Sequence, residues 1–252
     1  MKVVIIGSGN VATVLARMIR QAGHSIVQVV SRQIDNAATL ADELGCPYTD
    51  YKGSIVPGAD IYLVAIADIA LKEIHHSLKA GDKLVVHTAG SVPMDILMEA
   101  STNYGVLYPL QSLRKENLQL HGDIPFLVDG NSAEAISAIG KFAHSISSSV
   151  ETATDQQRLK LHIAAVFVSN FTNHLYALAH EYCGKVGVSF KTLQPLIEET
   201  ALGIREHAPA DMQTGPAVRR DNTTLDKHLR ELAIYPKLRN VYLKMSDSIM
   251  NG

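Results

Sequence analysis

The first half of the chain alternates two hydrophobic periods. Val3-Val4-Ile5-Ile6 is a short β-branched run with no polar gap, as expected of a strand buried on both faces. From Val11 to Gln21 the apolar positions follow helical spacing, and Ser25 to Val30 returns to a strand-like run, completing one βαβ unit. The alternation continues through "AATLADELG" (helix), "ADIYLVAIAD" (strand), "IALKEIHHSL" (helix), "KLVVHTAGS" (strand) and "GVLYPLQSL" (strand or sheet edge). It closes with "IPFLVDG" and the helical "SAEAISAIGKFAHSI". Unbroken apolar strands flanked by helices predict an α/β fold with a doubly wound, mainly parallel sheet. After "SSSVETAT" the texture changes. Asp155 up to Gly184 reads as one long helical stretch, and nothing beyond it reads as a strand. The predicted organisation is an α/β domain over 1–153 followed by an all-helical domain over 154–252. Within the latter, "LHIAAVFVSNFTNHLYALAHEYC" is apolar enough to suggest a membrane span. His162, Asn170, Asn173 and His174 interrupt it, and a buried core helix fits better.

Composition narrows the partners. Hydrophobic side chains make up 46% of 252 residues, enough for a large core. The net charge of -2 arises from 23 basic and 25 acidic residues, so no global field recruits nucleic acid or an anionic membrane. A small molecule is the expected partner. Met1 and Lys2 lead straight into the first strand, which leaves no room for a secretory leader, and a cytoplasmic location is expected. Cys46 and Cys183 lie far apart without metal-ligand spacing and read as packed thiols.

Chemistry enters at the first turn. Gly7-Ser8-Gly9-Asn10-Val11-Ala12 matches G-x-G-x-x-A after a strand and at the start of a helix. The first glycine allows the tight turn, the second lets a phosphate approach the backbone, and the small Ala12 lets helix and strand pack closely. This predicts nucleotide binding in the first domain, with the helix N-terminus offering free N–H groups to a pyrophosphate; the plainer reading is a glycine turn between packed elements. The second strand ends in "VVSRQ". Ser31 and Arg32 stand where an NAD site carries a carboxylate, so the expected cofactor is NADP(H), although Asp35 lies close enough to blunt the discrimination. Ala67, Asp68, His87, Thr88 and Ser91 fall at carboxyl ends of strands, the edge where ligands of such sheets collect. Of these, Ala67 and Asp68 are assigned to the cofactor and His87 to the substrate, as is Gln111 in "LYPLQSL". Ser91 reads equally as a helix N-cap, Asp68 as a cap of the following helix, and His87 as a core histidine.

Two constellations mark the helical half. Counted at roughly 100° per residue, His162, Val166, Ser169 and Asn173 share one stripe, with Asn170 at its flank. An imidazole there can donate the proton that reduction of a C=O or C=N bond requires, while Ser169, Asn170 and Asn173 orient a substrate. His162 reads equally as a histidine that only ties helices together. In "TGPAVRRDN", Thr214, Gly215 and Pro216 predict a turn and helix start, with Arg219 and Asp221 pointing inward and Arg220 facing water. Arg219 is the candidate anchor for a carboxylate, or one half of a structural Arg–Asp pair. His207 reads as surface, and the adjacent His75 and His76 lack metal-ligand spacing.

The order "VVIIGSGNVA", "VSRQ", "LVAIAD", "VVHTAGS", "LYPLQSL", "LHIAAVFVSN" and "TGPAVRRD" resembles, over nearly the whole chain, a bacterial family. That family joins a Rossmann domain like that of deazaflavin-dependent NADP oxidoreductases to a helical domain of unknown function. The chain is more distantly similar to pyrroline-5-carboxylate reductases, ketopantoate reductases and β-hydroxyacid dehydrogenases. The resemblance implies an NADP-dependent oxidoreductase that dimerises through its helical domain. It departs from the β-hydroxyacid dehydrogenases, whose catalytic lysine is followed four residues later by asparagine; four residues after Lys160 stands Ala164. Two function classes follow. One is a reductase that passes a hydride to a small carboxylated ketone or imine in a cleft between the domains, with a deazaflavin as an alternative hydride partner. The other is an NADP(H)-binding sensor without turnover.

Overall fold

The computed structural model describes residues 1–116 and 123–252. The N-terminal half runs β1 (Lys2–Ile6), α1 (Asn10–Gln21), β2 (Ser25–Val30), α2 (Ile34–Leu44), β3 (Tyr48–Thr49), β4 (Ile61–Val64), α3 (Asp68–Leu71), β5 (Leu84–His87), β6 (Tyr104–Pro109), β7 (Phe126–Gly130), α4 (Ala133–Ile146) and β8 (Val150–Thr152). These strands form one eight-stranded sheet in the order β3-β2-β1-β4-β5-β6-β7-β8. Every neighbouring pair is parallel except β6 and β7. The strand order reverses direction at β1, the switch point where such sheets bind ligands.

Alternation along β1 explains why the sheet needs cover on both sides. Val3 and Ile5 pack with Val14 and Leu15 of α1, Leu40 of α2 and Phe142 of α4 in one core. Val4 and Ile6 enter the opposite core with Tyr62, Leu71, Ile74 and Leu97. On that second face the helix expected over "IALKEIHHSL" is absent as such. α3 ends at Leu71, and Ile74–His76 is a 3₁₀ turn, because Glu73 at φ -110, ψ 2 leaves the helical region. Leu71, Ile74 and Leu78 still bury themselves at helical spacing, so the pattern was true while the backbone differs. The run expected as a strand or sheet edge is β6, an interior strand between β5 and β7.

The second half is helical: α5 (Asp155–Ala165), a π-helical segment Val166–Phe171, α6 (Thr172–Val186), α7 (Gln194–Gly203), α8 (Asn222–Glu231) and α9 (Pro236–Asn251). A capping box starts α5, with Thr154 Oγ1 accepting from the Gln157 amide at 3.3 Å and Gln157 Oε1 accepting from the Thr154 amide at 2.9 Å. The chain divides into two compact units, Met1–Asn170 and Phe171–Gly252. The change of texture at 153/154 and this division differ because α5, although helical, belongs to the compact unit that holds the sheet. In the helical unit, apolar side chains of α6, α9 and the turn after α8 line a cavity of about 590 Å³, among them Leu178, Leu232, Val241 and Met245. Among the described residues, no helix is long and apolar enough to cross a membrane.

Candidate active site

Register builds the site. Ile6 sits opposite Val30 on one side and Val64 on the other, and Val64 opposite His87, so Gly7, Ser31, Ala65 and Thr88 emerge together at one sheet edge. Gly7 turns there with φ 127, and a Cβ on it would lie 2.1 Å from the Ala65 carbonyl oxygen. Only glycine fits. Gly9 differs: its φ is -81, and a Cβ there would meet nothing within 4 Å. It caps α1 without a side-chain hydrogen bond, and no acidic residue occupies the first turn. The first N–H groups of Asn10, Val11 and Ala12 therefore remain free for an anion. Ser8 Oγ and Ser31 Oγ, 2.7 Å apart, tie this loop to the end of β2. Arg32 is exposed there and makes no hydrogen bond or ion pair to another described residue.

These residues line a cavity of about 780 Å³ that continues past Ala67, Asp68 and Thr88 to Gly90, Tyr108 and His162. Ser91 Oγ donates to Asp68 Oδ2 at 2.7 Å. Neither residue caps a helix: Ala67 precedes α3 and Pro93 precedes the next 3₁₀ turn. His87 is fully buried beneath the edge and does not line the cavity. Burial, reinforced by the Arg158 cation, pushes its imidazole down to about 4, against weaker opposing pulls from the Pro93 backbone, Asp155 and Asp68. Its Nδ1 accepts the Ala89 N–H at 3.1 Å, so the neutral ring bears its proton on Nε2. The expected substrate residue His87 thus acts as a support for the Thr88–Gly90 turn.

At the far end of the cavity, Tyr108 Oη and His162 Nδ1 are 2.9 Å apart. One turn earlier on α5, the buried Arg158 donates to the Val92 carbonyl at 2.6 Å and to Asp155 Oδ1 at 2.7 Å. The Asp155 carboxylate also accepts from the Met94 amide, at 3.2 Å to one oxygen. This clamp holds the Gly90–Met94 segment against the helix that carries His162. Burial raises the Tyr108 phenol, with the nearby Arg158 cation opposing.

Such an arrangement suits a nucleotide at the glycine-loop end, and the comparisons agree with that much. Residues 2–90 match the family described as NADP oxidoreductase, coenzyme F420-dependent, and residues 124–249 match a domain of unknown function, DUF2520. Along its full length the chain is 39% identical to a Bacteroides fragilis protein provisionally named an NADP oxidoreductase, with 98% of that protein covered and a TM-score of 0.92. The chain belongs to this NADP oxidoreductase family. A Thermotoga maritima protein shares its fold at 21% identity and TM-score 0.71, covering 99% of this chain and 96% of that one. So does a 1-pyrroline-5-carboxylate reductase from Streptococcus pyogenes, at 14% identity and TM-score 0.67, covering 100% and 99%. No curated relative matches the chain.

In this member of the family, the cavity gathers most residues expected at the cofactor end, from Gly7 to Val11 with Ser31, Arg32, Ala67 and Asp68; Ala12 packs beneath it. The stripe of the long helix is not brought together. Ser169 and Asn170 lie in the π-helical segment and Asn173 beyond it, and of the four only His162 lines the cavity. A π turn takes one more residue than an α turn, so counting at 100° per residue loses register across it. Arg219 is exposed rather than inward, and pairs with no carboxylate among the described residues. Asp221 caps α8, accepting from the Thr224 amide at 3.1 Å and hydroxyl at 2.7 Å, which hold its carboxyl below the usual range. Gln111 is exposed and accepts from the Ser112 amide at 2.9 Å. Sequence reasoning passed over Tyr108, Gly90, Asp155 and Arg158. The spacing of Arg158 four residues before His162 was the available signal.

Proposed function

We propose that the protein is an NADP(H)-dependent reductase of a small carboxylated ketone or imine. The supporting observation is that the glycine loop and His162 line one cavity of about 780 Å³. The residues fit the cofactor: open space stands above Gly9, the N-terminus of α1 is uncapped, and Arg32 is unpaired for a 2′-phosphate. Bound NADPH would supply the hydride. The backbone N–H groups after Gly9 hold the pyrophosphate, and Arg32 separates NADPH from NADH. His162 gives a proton to the substrate heteroatom. Arg219, exposed and in no ion pair among the described residues, is the cation assigned to a substrate carboxylate.

The exposed apolar side chains Leu196, Ile204 and Ile234 of the helical unit support a homodimer built mainly from residues beyond Asp155. The decisive experiment follows the fall in NADPH absorbance across a panel of 2-oxo acids and cyclic imines. His162→Ala is expected to lower turnover about 10²–10⁴-fold with NADPH affinity unchanged. A destabilised variant whose folded fraction keeps full turnover would remove His162 from the reaction. Tight NADPH binding without turnover of any compound would favour the sensor reading.

A further inference from the structure

We propose that Tyr108 is a positioning residue that makes Nε2 the proton-carrying nitrogen of His162. The two rings meet edge-on, with centroids 5.9 Å apart and planes at 75°, and Tyr108 Oη lies 2.9 Å from Nδ1. Tyr108 is only 9% exposed, and among the described residues its hydroxyl has no other hydrogen-bond partner. A buried hydroxyl proton left unpaired is costly, and the lone pair on Nδ1 is the acceptor within reach. Donation to Nδ1 makes the neutral ring the Nε2–H tautomer. When the ring is protonated, the hydroxyl rotates and accepts from Nδ1–H instead. In both charge states Nδ1 is tied to Tyr108.

Nε2 is placed differently. It makes no hydrogen bond to a described residue, and it is not among the sealed, unpartnered atoms, which are His87 Nε2 and Arg158 Nε and Nη1. It is therefore not sealed, and His162 lines the cavity. Gly90 closes the remaining side: a Cβ there would stand 2.7 Å from Nδ1 and 2.9 Å from Tyr108 Cζ, so the glycine backbone packs directly against both rings. The Arg158–Asp155 clamp fixes that backbone to the helix bearing His162. In the reaction the Nε2–H bond of the imidazolium breaks, its electron pair stays on Nε2, and the proton passes to the heteroatom of the reduced carbon. This leaves the ring transiently with its proton on Nδ1, donating to the Tyr108 oxygen, and the resting Nε2–H form returns when water protonates Nε2 and takes the Nδ1 proton as the hydroxyl rotates back to donate.

The inference takes its chemical meaning from the reductase reading, but its test does not depend on turnover. Long-range ¹H–¹⁵N spectra of histidine-labelled protein, with the His162 signals assigned by their loss in His162→Gln, report the tautomer of the neutral ring. The expected result is a single Nε2–H form in the unmutated protein and a mixture of tautomers in Tyr108→Phe. Gly90→Ala should give the same mixture, since its Cβ drives the imidazole off the hydroxyl while both rings remain, which keeps the test sound if Tyr108→Phe folds poorly. An Nδ1–H form in the unmutated protein, or a spectrum unchanged in both variants, overturns the proposal. With a substrate in hand, Tyr108→Phe should lower kcat about tenfold with the dissociation constant of NADPH unchanged. If no compound is turned over, the reductase reading fails while the spectra still decide the tautomer.

Discussion

In the sheet-bearing unit, Val3, Val4, Ile5 and Ile6 are sealed by helices or turns on both faces, and the cores run from α1 to α4 without a gap. In the helical unit the buried apolar residues are Leu178, Cys183, Ala217, Leu225 and Leu232, while Leu196 at 63% and Ile234 at 76% exposure face outward. A parallel sheet forces burial from two sides, so the first unit completes itself. Short amphipathic helices bury only what a neighbour covers. With the dimer proposed above, the contrast would give stability to one unit and assembly to the other, and it can be broken experimentally.

The largest effect is expected in the sheet. Phe126→Ala removes a fully buried ring and should cost about 3–5 kcal/mol, read as a shift in the denaturant midpoint that is independent of protein concentration. Leu196→Asp is its counterpart: it should leave that midpoint nearly unmoved and shift sedimentation from dimer to monomer. A monomer in the unmutated protein at micromolar concentration would end the assembly reading.

Acid sharpens the same contrast. His87 is held neutral with its titration depressed to about 4, so as pH falls the unfolded chain takes up this proton first. The stability due to neutral His87 is complete above ~6.5 and lost progressively as pH drops toward the folded value, by on the order of 3 kcal/mol in all. Urea midpoints at pH 7 and pH 5 should show this slope in the unmutated protein and lose it in His87→Gln. An equal slope in both would assign the acid sensitivity elsewhere.

The smallest effect concerns Arg32. Arg32→Ala should weaken NADPH binding roughly tenfold and leave NADH nearly untouched, by calorimetric titration. Equal dissociation constants for the two cofactors in the unmutated protein would refute the assignment.

Where the sequence was legible, a single local rule sufficed. The run Val3–Ile6, the glycines after it and the arginine after β2 each depend on neighbours within a few residues, and register then carried them to one edge. The far end of the cavity was legible only in part. His162 was visible as a polar break in an apolar helix, but its partner Tyr108 lies 54 residues away on a strand, a contact no periodicity reports. The stripe drawn through Ser169 and Asn173 rested on α-helical counting, which does not carry across the change to the π pattern at Val166. The α3 region failed for a related reason, since helical spacing of Leu71, Ile74 and Leu78 is kept by a backbone that is not one helix.

The two glycines of the first loop would be retained under different selections. Gly7 stands against the Ala65 carbonyl with a left-handed backbone, so any replacement is a folding lesion, and a library scored for abundance alone would be purged of it. Gly9 has ordinary extended geometry and empty space around it, so alanine there passes the same filter unnoticed. It would disappear only when variants are sorted by nucleotide capture, because the space it leaves open is useful to a phosphate and to nothing in the fold. A codon-by-codon comparison of the two screens would therefore separate, within three residues, what this loop owes to its architecture from what it owes to its ligand.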